Sequence, residues 1–241
     1  MFRPIYEPRT KAREYCDLAV NIYTECNLGC SYCWSRSMSR RFGTPWTGTV
    51  KPRRDILKGV REQLMSTKSK PIRDKKIMLC FTCDPYPADI DTGITREIIK
   101  AIKNSGNHVQ ILTKGGNRAE RDFDLLNSND SFGVTVTGAH DTIEPRAASE
   151  YGRLKVLKSA KEKGIKTWVS CEPVYEPSAI YALIKLGDYV DMFRIGKLNY
   201  ERSWIDWSEF GRECERLCKQ LDRNYYIKED LRMLMGKESE V

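Results

Sequence analysis

Short runs of apolar, β-branched residues alternate along the chain with longer stretches whose apolar positions recur every three or four residues. That alternation predicts strands separated by helices. Six strands are expected, over Leu18 to Tyr23, Lys76 to Thr82, His108 to Thr113, Phe132 to Thr137, Lys166 to Ser170 and Tyr189 to Ile195. Helices are expected over Arg53 to Met65, Thr95 to Asn104, Ala119 to Leu126, Tyr151 to Lys163 and Ser178 to Leu186. A helix over Ser208 to Leu221 would close the open side, and Ile227 to Met235 would form another. Gly106, Gly164 and Gly187 each follow a helix and precede a strand, where a left-handed residue ends the helix. Repeated βα units imply an α/β fold with a parallel sheet, and no strand is followed by a G-x-G-x-x-G turn. The expected fold is therefore a partial (β/α)6 barrel with its functional face at the C-terminal strand ends. The expected organisation is one domain: an extension over 1–17, six βα units over 18–200 and closing helices over 201–241.

Composition narrows the function. The chain has 241 residues, 40% hydrophobic and 31% charged, enough for a substantial core and unlike a disordered or disulfide-stapled scaffold. No apolar run approaches the roughly 18 residues of a membrane span, and the start lacks a signal-peptide stretch, so no membrane partner and a cytoplasmic location are expected. Nine unevenly placed cysteines fit metal or thiol chemistry better than a secreted disulfide framework. With only His108 and His140 available, a histidine-built zinc hydrolase is disfavoured and sulfur becomes the expected ligand.

The sharpest motif is Cys26-Asn27-Leu28-Gly29-Cys30-Ser31-Tyr32-Cys33, a C-x3-C-x2-C loop directly after the first expected strand. Three thiolates from one loop suit an iron–sulfur cubane that keeps one iron free for an exogenous ligand, whereas a structural zinc would want a fourth ligand nearby. In this loop and its strand context the chain resembles the radical S-adenosylmethionine superfamily, and the resemblance covers nearly the whole sequence. It implies a [4Fe-4S] cluster on Cys26, Cys30 and Cys33, with S-adenosylmethionine on the free iron, cleaved to a 5′-deoxyadenosyl radical. A reducing electron donor such as a flavodoxin or ferredoxin is implied as well.

Further segments resemble the group related to spore photoproduct lyase. They are Tyr6-Glu7-Pro8, Ala12-Arg13-Glu14-Tyr15, Thr82-Cys83-Asp84-Pro85-Tyr86, Leu112-Thr113-Lys114 with Arg121-Asp122, Glu144-Pro145-Arg146-Ala147, Ser170-Cys171-Glu172-Pro173 and Gly196-Lys197-Leu198-Asn199. Under that resemblance Tyr32 and Trp34 flank the last cluster ligand, Lys114 matches a lysine that pairs with the cofactor's carboxylate, and Thr135 falls near a hydroxyl residue holding the same cofactor. Strand alternation adds Thr137, Ser170 and Glu172 to the candidate cofactor wall, since Gln110, Leu112 and Lys114 share one face, as do Thr135 with Thr137 and Ser170 with Glu172. Cys171, of opposite parity, is expected to pack outward. The strand-two cysteine that the lyase uses as hydrogen donor falls at Phe81 here. Cys80 and Cys83 flank it with opposite parity, so a regular strand aims only one inward; Cys83 is the expected donor, and Cys80 more simply a small buried hydrophobe. Cys214 and Cys218 read as core cysteines, with a second cluster as the alternative.

The formal charge of +8 is localised: Arg36 to Lys76 carries 13 Lys/Arg against Asp55, Glu62 and Asp74, a net +10. Arg36, Arg40, Arg41, Lys51, Arg53 and Arg54 are expected near the active rim, interleaved with Trp34, Phe42 and Trp46; Lys68, Lys70, Arg73, Lys75 and Lys76 are expected at the opposite end. The rim arginines Arg36, Arg40, Arg41, Arg53 and Arg54 are the candidate nucleic-acid contacts, by counter-charge to phosphate and stacking. Chemistry on a nucleic-acid base, by repair or modification, is the leading expectation. The competitors are radical chemistry on a peptide or small metabolite, and a non-catalytic metal-containing nucleic-acid-binding module.

Overall fold

The computed structural model describes residues 3–66, 71–199 and 201–236. Eight strands form one sheet in chain order, with β1 (Ile5–Tyr6) antiparallel to β2 (Leu18–Val20) and each later strand parallel to the one before. The six expected strands are β2, β3 (Lys76–Leu79), β4 (His108–Thr113), β5 (Ser131–Thr135), β6 (Lys166–Cys171) and β7 (Met192–Ile195). The sheet is the open, partial barrel that the βα order implies.

Helices α1 (Trp34–Arg41), α2 (Ile56–Leu64), α3 (Gly93–Asn104), α4 (Glu150–Glu162), α5 (Pro177–Leu186) and α6 (Trp207–Gln220) cross between strands or close the end. Capping fits local chemistry: Ser149 accepts from the Gly152 N–H, and Asp206 from the N–H groups of Ser208 and Glu209. Gly106 and Gly164 take the expected left-handed conformation, whereas Gly187 stays at φ −86° because the α5 end closes through its N–H to Leu183 O at 2.8 Å.

Several expectations are corrected. Ile227 ends β8 (Tyr225–Ile227), paired with β7, and the last helix α7 begins only at Glu229 and runs to Met235. A three-residue strand is too short to show a period. Gly116–Leu125 forms a 3-10 segment where an α-helix over 119–126 was expected, pinned by buried Asp122, which accepts from Tyr86 Oη at 3.0 Å and Arg96 at 3.1 Å. β2 ends at Val20 rather than Tyr23, and β3 at Leu79 rather than Thr82.

Lateral register places the inward-facing residues in rows. Leu112, Gly133, Trp168 and Met192 are mutual partners across β4 to β7, and Thr135, Ser170 and Arg194 form the next row toward the strand ends. Trp168 with Ala19 and Met78 fills the barrel floor, while Ile77, Val109, Phe132, Val169 and Phe193 bury the opposite sheet face under the helices. Cys171 packs on that outer face in one buried cluster with Cys214 and Cys218. Trp168 needs the missing side chain of its neighbour, since a Cβ on Gly133 would meet its ring at 2.3 Å. Gly133→Ala is expected to destabilise the fold by about 1–3 kcal/mol through overpacking, read by urea denaturation. Among the described residues no helix is long and apolar enough to cross a membrane.

Candidate active site

The cysteine loop is held on both flanks by hydrogen bonds that leave its thiols free to face inward. The Asn27 side chain donates to Ala88 O at 2.7 Å and accepts from the Ala88 N–H at 3.0 Å. On the other flank the Ser31 N–H donates to Ile143 O at 3.0 Å, and the Arg146 N–H to Leu28 O at 3.1 Å. Gly29 is needed at the bend, with φ +77° and the Pro145 ring 3.1 Å from where a Cβ would sit. α1 begins directly after Cys33, so the third thiol lies at a helix start.

Cys26, Cys30 and Cys33 all line a cavity of about 600 Å³ at the C-terminal ends of the strands. Burial pushes the Cys26 thiol up to about 12 and raises Cys30 as well, against the pull of the Lys114 ammonium. Buried thiols of this kind take a metal by giving up their protons to it. Among the described residues no three Cys, His, Asp or Glu side chains close around a single ion. A cubane makes no such demand, because each thiolate binds a different iron, and an all-sulfur donor set from one loop fits it.

Beside the loop lies a buried charge cluster. Tyr32 Oη donates to Glu144, which also receives Arg153 and lies 3.9 Å from Lys114 Nζ. Lys114 Nζ sits 5.3 Å from the centre of the Tyr32 ring, a cation–π contact. Arg153 is fixed by Thr135 O and Ala148 O, both at 2.7 Å. Glu144 and Arg153 were absent from the sequence-based site. Glu144 stood inside a quoted segment, and its signal was a charged residue in a chain stretch with no helical or strand period.

The remaining wall confirms the strand parity. Leu112, Lys114, Thr135, Ser170 and Glu172 line the cavity, as do Tyr32 and the half-exposed Trp34. Thr137 does not: it is fully buried behind the wall, where its hydroxyl donates to Glu150 at 3.0 Å and its N–H also goes to Glu150. β5 ends at Thr135, so alternation no longer governs Thr137. Glu172 is the centre of a second polar group, accepting from Tyr15 Oη at 2.8 Å, Lys228 Nζ at 2.6 Å and Asn199 Nδ2 at 3.1 Å.

Cys80 and Cys83 both reach the cavity, contrary to the parity expectation. The strand stops at Leu79, Cys80 turns to φ +65°, and Asn21 Oδ1 accepts from the N–H groups of Phe81 at 2.8 Å and Thr82 at 3.0 Å. That turn brings the two buried thiols into hydrogen-bond contact. Burial and donation to Cys83 raise Cys80. Cys83 is opposed by burial, yet the Cys80 bond, a backbone bond at Tyr23 and the Arg53 guanidinium together bring it below the ordinary thiol value.

None of the five candidate arginines lines the cavity. Arg36, Arg40, Arg41 and Arg54 are exposed outside it, and Arg53 is tied behind the wall to Tyr23 O at 3.0 Å and the Thr82 hydroxyl at 3.4 Å. The loop beyond α1 is anchored rather than free, since Glu25 accepts from the N–H groups of Thr47 and Gly48. Lys68 and Lys70 lie outside the described residues.

The radical SAM superfamily model matches residues 20–175, well over half of the chain. The chain belongs to the radical SAM superfamily. Membership implies a [4Fe-4S] cluster and S-adenosylmethionine, consistent with the thiol loop. The uncharacterized protein ORF301 of Acidianus two-tailed virus is 28% identical over 184 residues, 69% of this chain and 59% of that protein. The uncharacterized protein MJ0683 of Methanocaldococcus jannaschii is 29% identical over 181 residues, 71% of this chain and 64% of that one. The matched part thus spans about six-tenths of these relatives. Among solved structures, spore photoproduct lyase complexed with dinucleoside spore photoproduct aligns with TM-score 0.65 and 15% identity, over 92% of this radical SAM chain and 79% of the lyase. Streptococcus suis SuiB bound to precursor peptide SuiA aligns with TM-score 0.61 and 13% identity, over 87% of this chain and 48% of SuiB. At these identities the likeness is one of fold.

Proposed function

We propose that this radical SAM protein cleaves S-adenosylmethionine reductively and uses the radical to abstract hydrogen from a nucleic-acid base, in repair or modification. The observation that carries the reading is one cavity walled by the three-cysteine loop, the half-buried Lys114 and the polar ends of β5 and β6. When bound, the cluster supplies the electron that splits S-adenosylmethionine into methionine and a 5′-deoxyadenosyl radical.

Cys26, Cys30 and Cys33 would hold three of the irons. Lys114, positioned by Glu144 and the Tyr32 face, pairs with the carboxylate of S-adenosylmethionine. Thr135 and Ser170 offer hydroxyls that donate to or accept from a ribose, and Glu172 accepts from an amino or hydroxyl group. Met78, Phe81 and Leu112 form the apolar part of the wall and exclude water from a reactive radical.

Cys83 returns a hydrogen atom to the substrate radical, its S–H bond breaking as the substrate C–H bond forms. The thiyl left on Cys83 is restored to the thiol by one electron from the external donor and a proton, and Cys80 donates a hydrogen bond to Cys83. Cys83→Ala is expected to preserve 5′-deoxyadenosine formation while cutting clean product by about 100-fold or more, read by chromatography of both products. Unchanged product yield removes Cys83 from the reaction. The pH dependence follows, since hydrogen-atom donation needs the protonated thiol. Because Cys83 lies below the ordinary thiol value, the product-to-deoxyadenosine ratio is expected to fall as pH rises, at lower pH than for a thiol near 8.5.

The cationic side of the cavity favours a nucleic-acid base over a peptide or small metabolite; the fold is shared both with a lyase bound to a dinucleoside photoproduct and with an enzyme bound to a precursor peptide, and does not choose between them. The test is anaerobic binding and turnover with oligonucleotides, irradiated and undamaged, beside peptides. Turnover only with peptides would overturn the substrate class. A flavodoxin or ferredoxin is the class of electron donor proposed.

A further inference from the structure

We infer that Lys11, Lys197 and Lys228, grouped about Asn199 and Glu172 on the β7–β8 side of the cavity, seat a phosphate of the substrate. The inference rests on the nucleic-acid reading above and assigns its substrate contact to residues other than the rim arginines. Lys11 Nζ at 3.1 Å and Lys197 Nζ at 3.0 Å both donate to the single oxygen Asn199 Oδ1. A neutral amide thus gathers two ammonium groups at one point without cancelling either charge. Lys228, nearly fully buried, is paired with Glu172 at 2.6 Å, and Lys11 with Asp230 at 2.6 Å. Among the described residues Lys197 has no carboxylate within ion-pair distance, so its positive charge is left without a counter-charge.

The cavity as a whole shows the same excess. Among the described residues Arg9, Lys11, Lys114, Lys197 and Lys228 line it, against the carboxylates Asp84 and Glu172. Asp84 is occupied, accepting from the Thr113 hydroxyl at 2.6 Å and from the N–H groups of Lys114 and Tyr86, both at 2.8 Å. Lys114 shares the single Glu144 carboxylate with Arg153, so that group keeps one positive charge of its own on the side of the cysteine loop. On the β7–β8 side the uncompensated charge lies at Lys197, and Arg9 adds a second wall cation with no carboxylate in ion-pair distance among the described residues.

A phosphodiester fits this arrangement better than a carboxylate. Separate ammonium groups act as point charges and can address different phosphate oxygens, whereas planar carboxylates are best matched by a guanidinium fork, which the cluster lacks. The exposed Arg36, Arg40, Arg41 and Arg54 lie off the wall, where they can reach flanking nucleotides but not the phosphate adjoining a base inside the cavity.

The test uses the reconstituted full-length protein and four homodinucleotides, each with a natural phosphodiester or a neutral methylphosphonate link. Wild type is expected to bind the phosphodiester form about tenfold tighter, and Lys197→Gln to lose most of that difference while binding the neutral form unchanged. The salt slope of phosphodiester binding should fall by about one for Lys197→Gln and for Lys11→Gln. Both variants leave the buried Lys228–Glu172 pair intact, and unchanged thermal unfolding confirms the fold. Arg40→Gln/Arg41→Gln should bind these short ligands as wild type does. If wild type prefers the phosphodiester and both lysine variants keep the full preference, the phosphate seat is wrong and the base reading stands. If wild type binds no dinucleotide, or binds an acidic peptide in preference, the nucleic-acid reading fails first.

Discussion

Cys30→Ala, and equally Cys26→Ala or Cys33→Ala, is expected to abolish cluster assembly and reduce 5′-deoxyadenosine formation by more than about 100-fold. The three thiols come from one loop on one wall, with no nearby histidine to replace a lost ligand. Cys30 is the most informative of them, because it is buried and interacts with both Lys114 and Glu144. Iron content after anaerobic reconstitution and the visible absorption of the cluster check the first effect, and chromatography checks the second. The folded state should survive, since a buried thiol removed without its metal leaves only a small cavity. A variant that keeps a full cluster and wild-type turnover contradicts the ligand assignment. Cys214→Ala/Cys218→Ala serves as the contrast: these thiols pack against Cys171 behind the sheet and should leave the iron content unchanged.

The second large effect is expected at Glu144. Its carboxylate is nearly fully buried and holds the Tyr32 hydroxyl, the Arg153 guanidinium and the Lys114 ammonium together. Glu144→Ala leaves the buried Arg153 guanidinium without its counter-charge and removes that of the half-buried Lys114, which costs about 3–5 kcal/mol. At roughly 2–4 °C per kcal/mol for a chain of this size, the melting temperature should fall by about 6–20 °C. Glu144→Gln keeps an acceptor for Tyr32 and should fold better than the alanine variant while still weakening S-adenosylmethionine binding. Calorimetry of both variants and equilibrium binding of S-adenosylmethionine separate the two consequences. An alanine variant with wild-type melting temperature would show that the cluster of charges is not coupled.

The same residues show what the sequence could carry. β2 to β7 were legible as short apolar runs set between longer stretches of helical period, and parity placed Lys114, Thr135, Ser170 and Glu172 on the inner wall, where they line the cavity. Parity failed where the strands stopped. Thr137 lies beyond β5 and turns to Glu150, while Cys80 leaves β3 at φ +65° and brings both thiols to the cavity. Those departures are set by side chains distant in sequence, Glu150 in one case and Asn21 in the other, which no local pattern reports. β1 and β8 were missed because two or three residues carry no period.

Charge was the least legible feature. The basic segment drew attention to Arg36, Arg40, Arg41, Arg53 and Arg54 through its density, yet the cations on the cavity wall are Arg9, Lys11, Lys114, Lys197 and Lys228, scattered from one end of the chain to the other. The sheet order joins them, since the segment before β2 lies against β8 and α7 through Lys11 to Asp230 and Tyr226 to Glu14. A closing strand invisible in the sequence thus determines which charges line the cavity.

The central claim is hydrogen abstraction from a nucleic-acid base by the radical made in this cavity. The direct measurement is mass spectrometry of 5′-deoxyadenosine formed anaerobically by the reconstituted protein with S-adenosylmethionine, a strong reductant and perdeuterated oligonucleotides. Deuterium in the 5′-deoxyadenosine is the predicted result. Cluster-dependent 5′-deoxyadenosine without deuterium from any oligonucleotide, but with deuterium from a labelled peptide or metabolite, contradicts it.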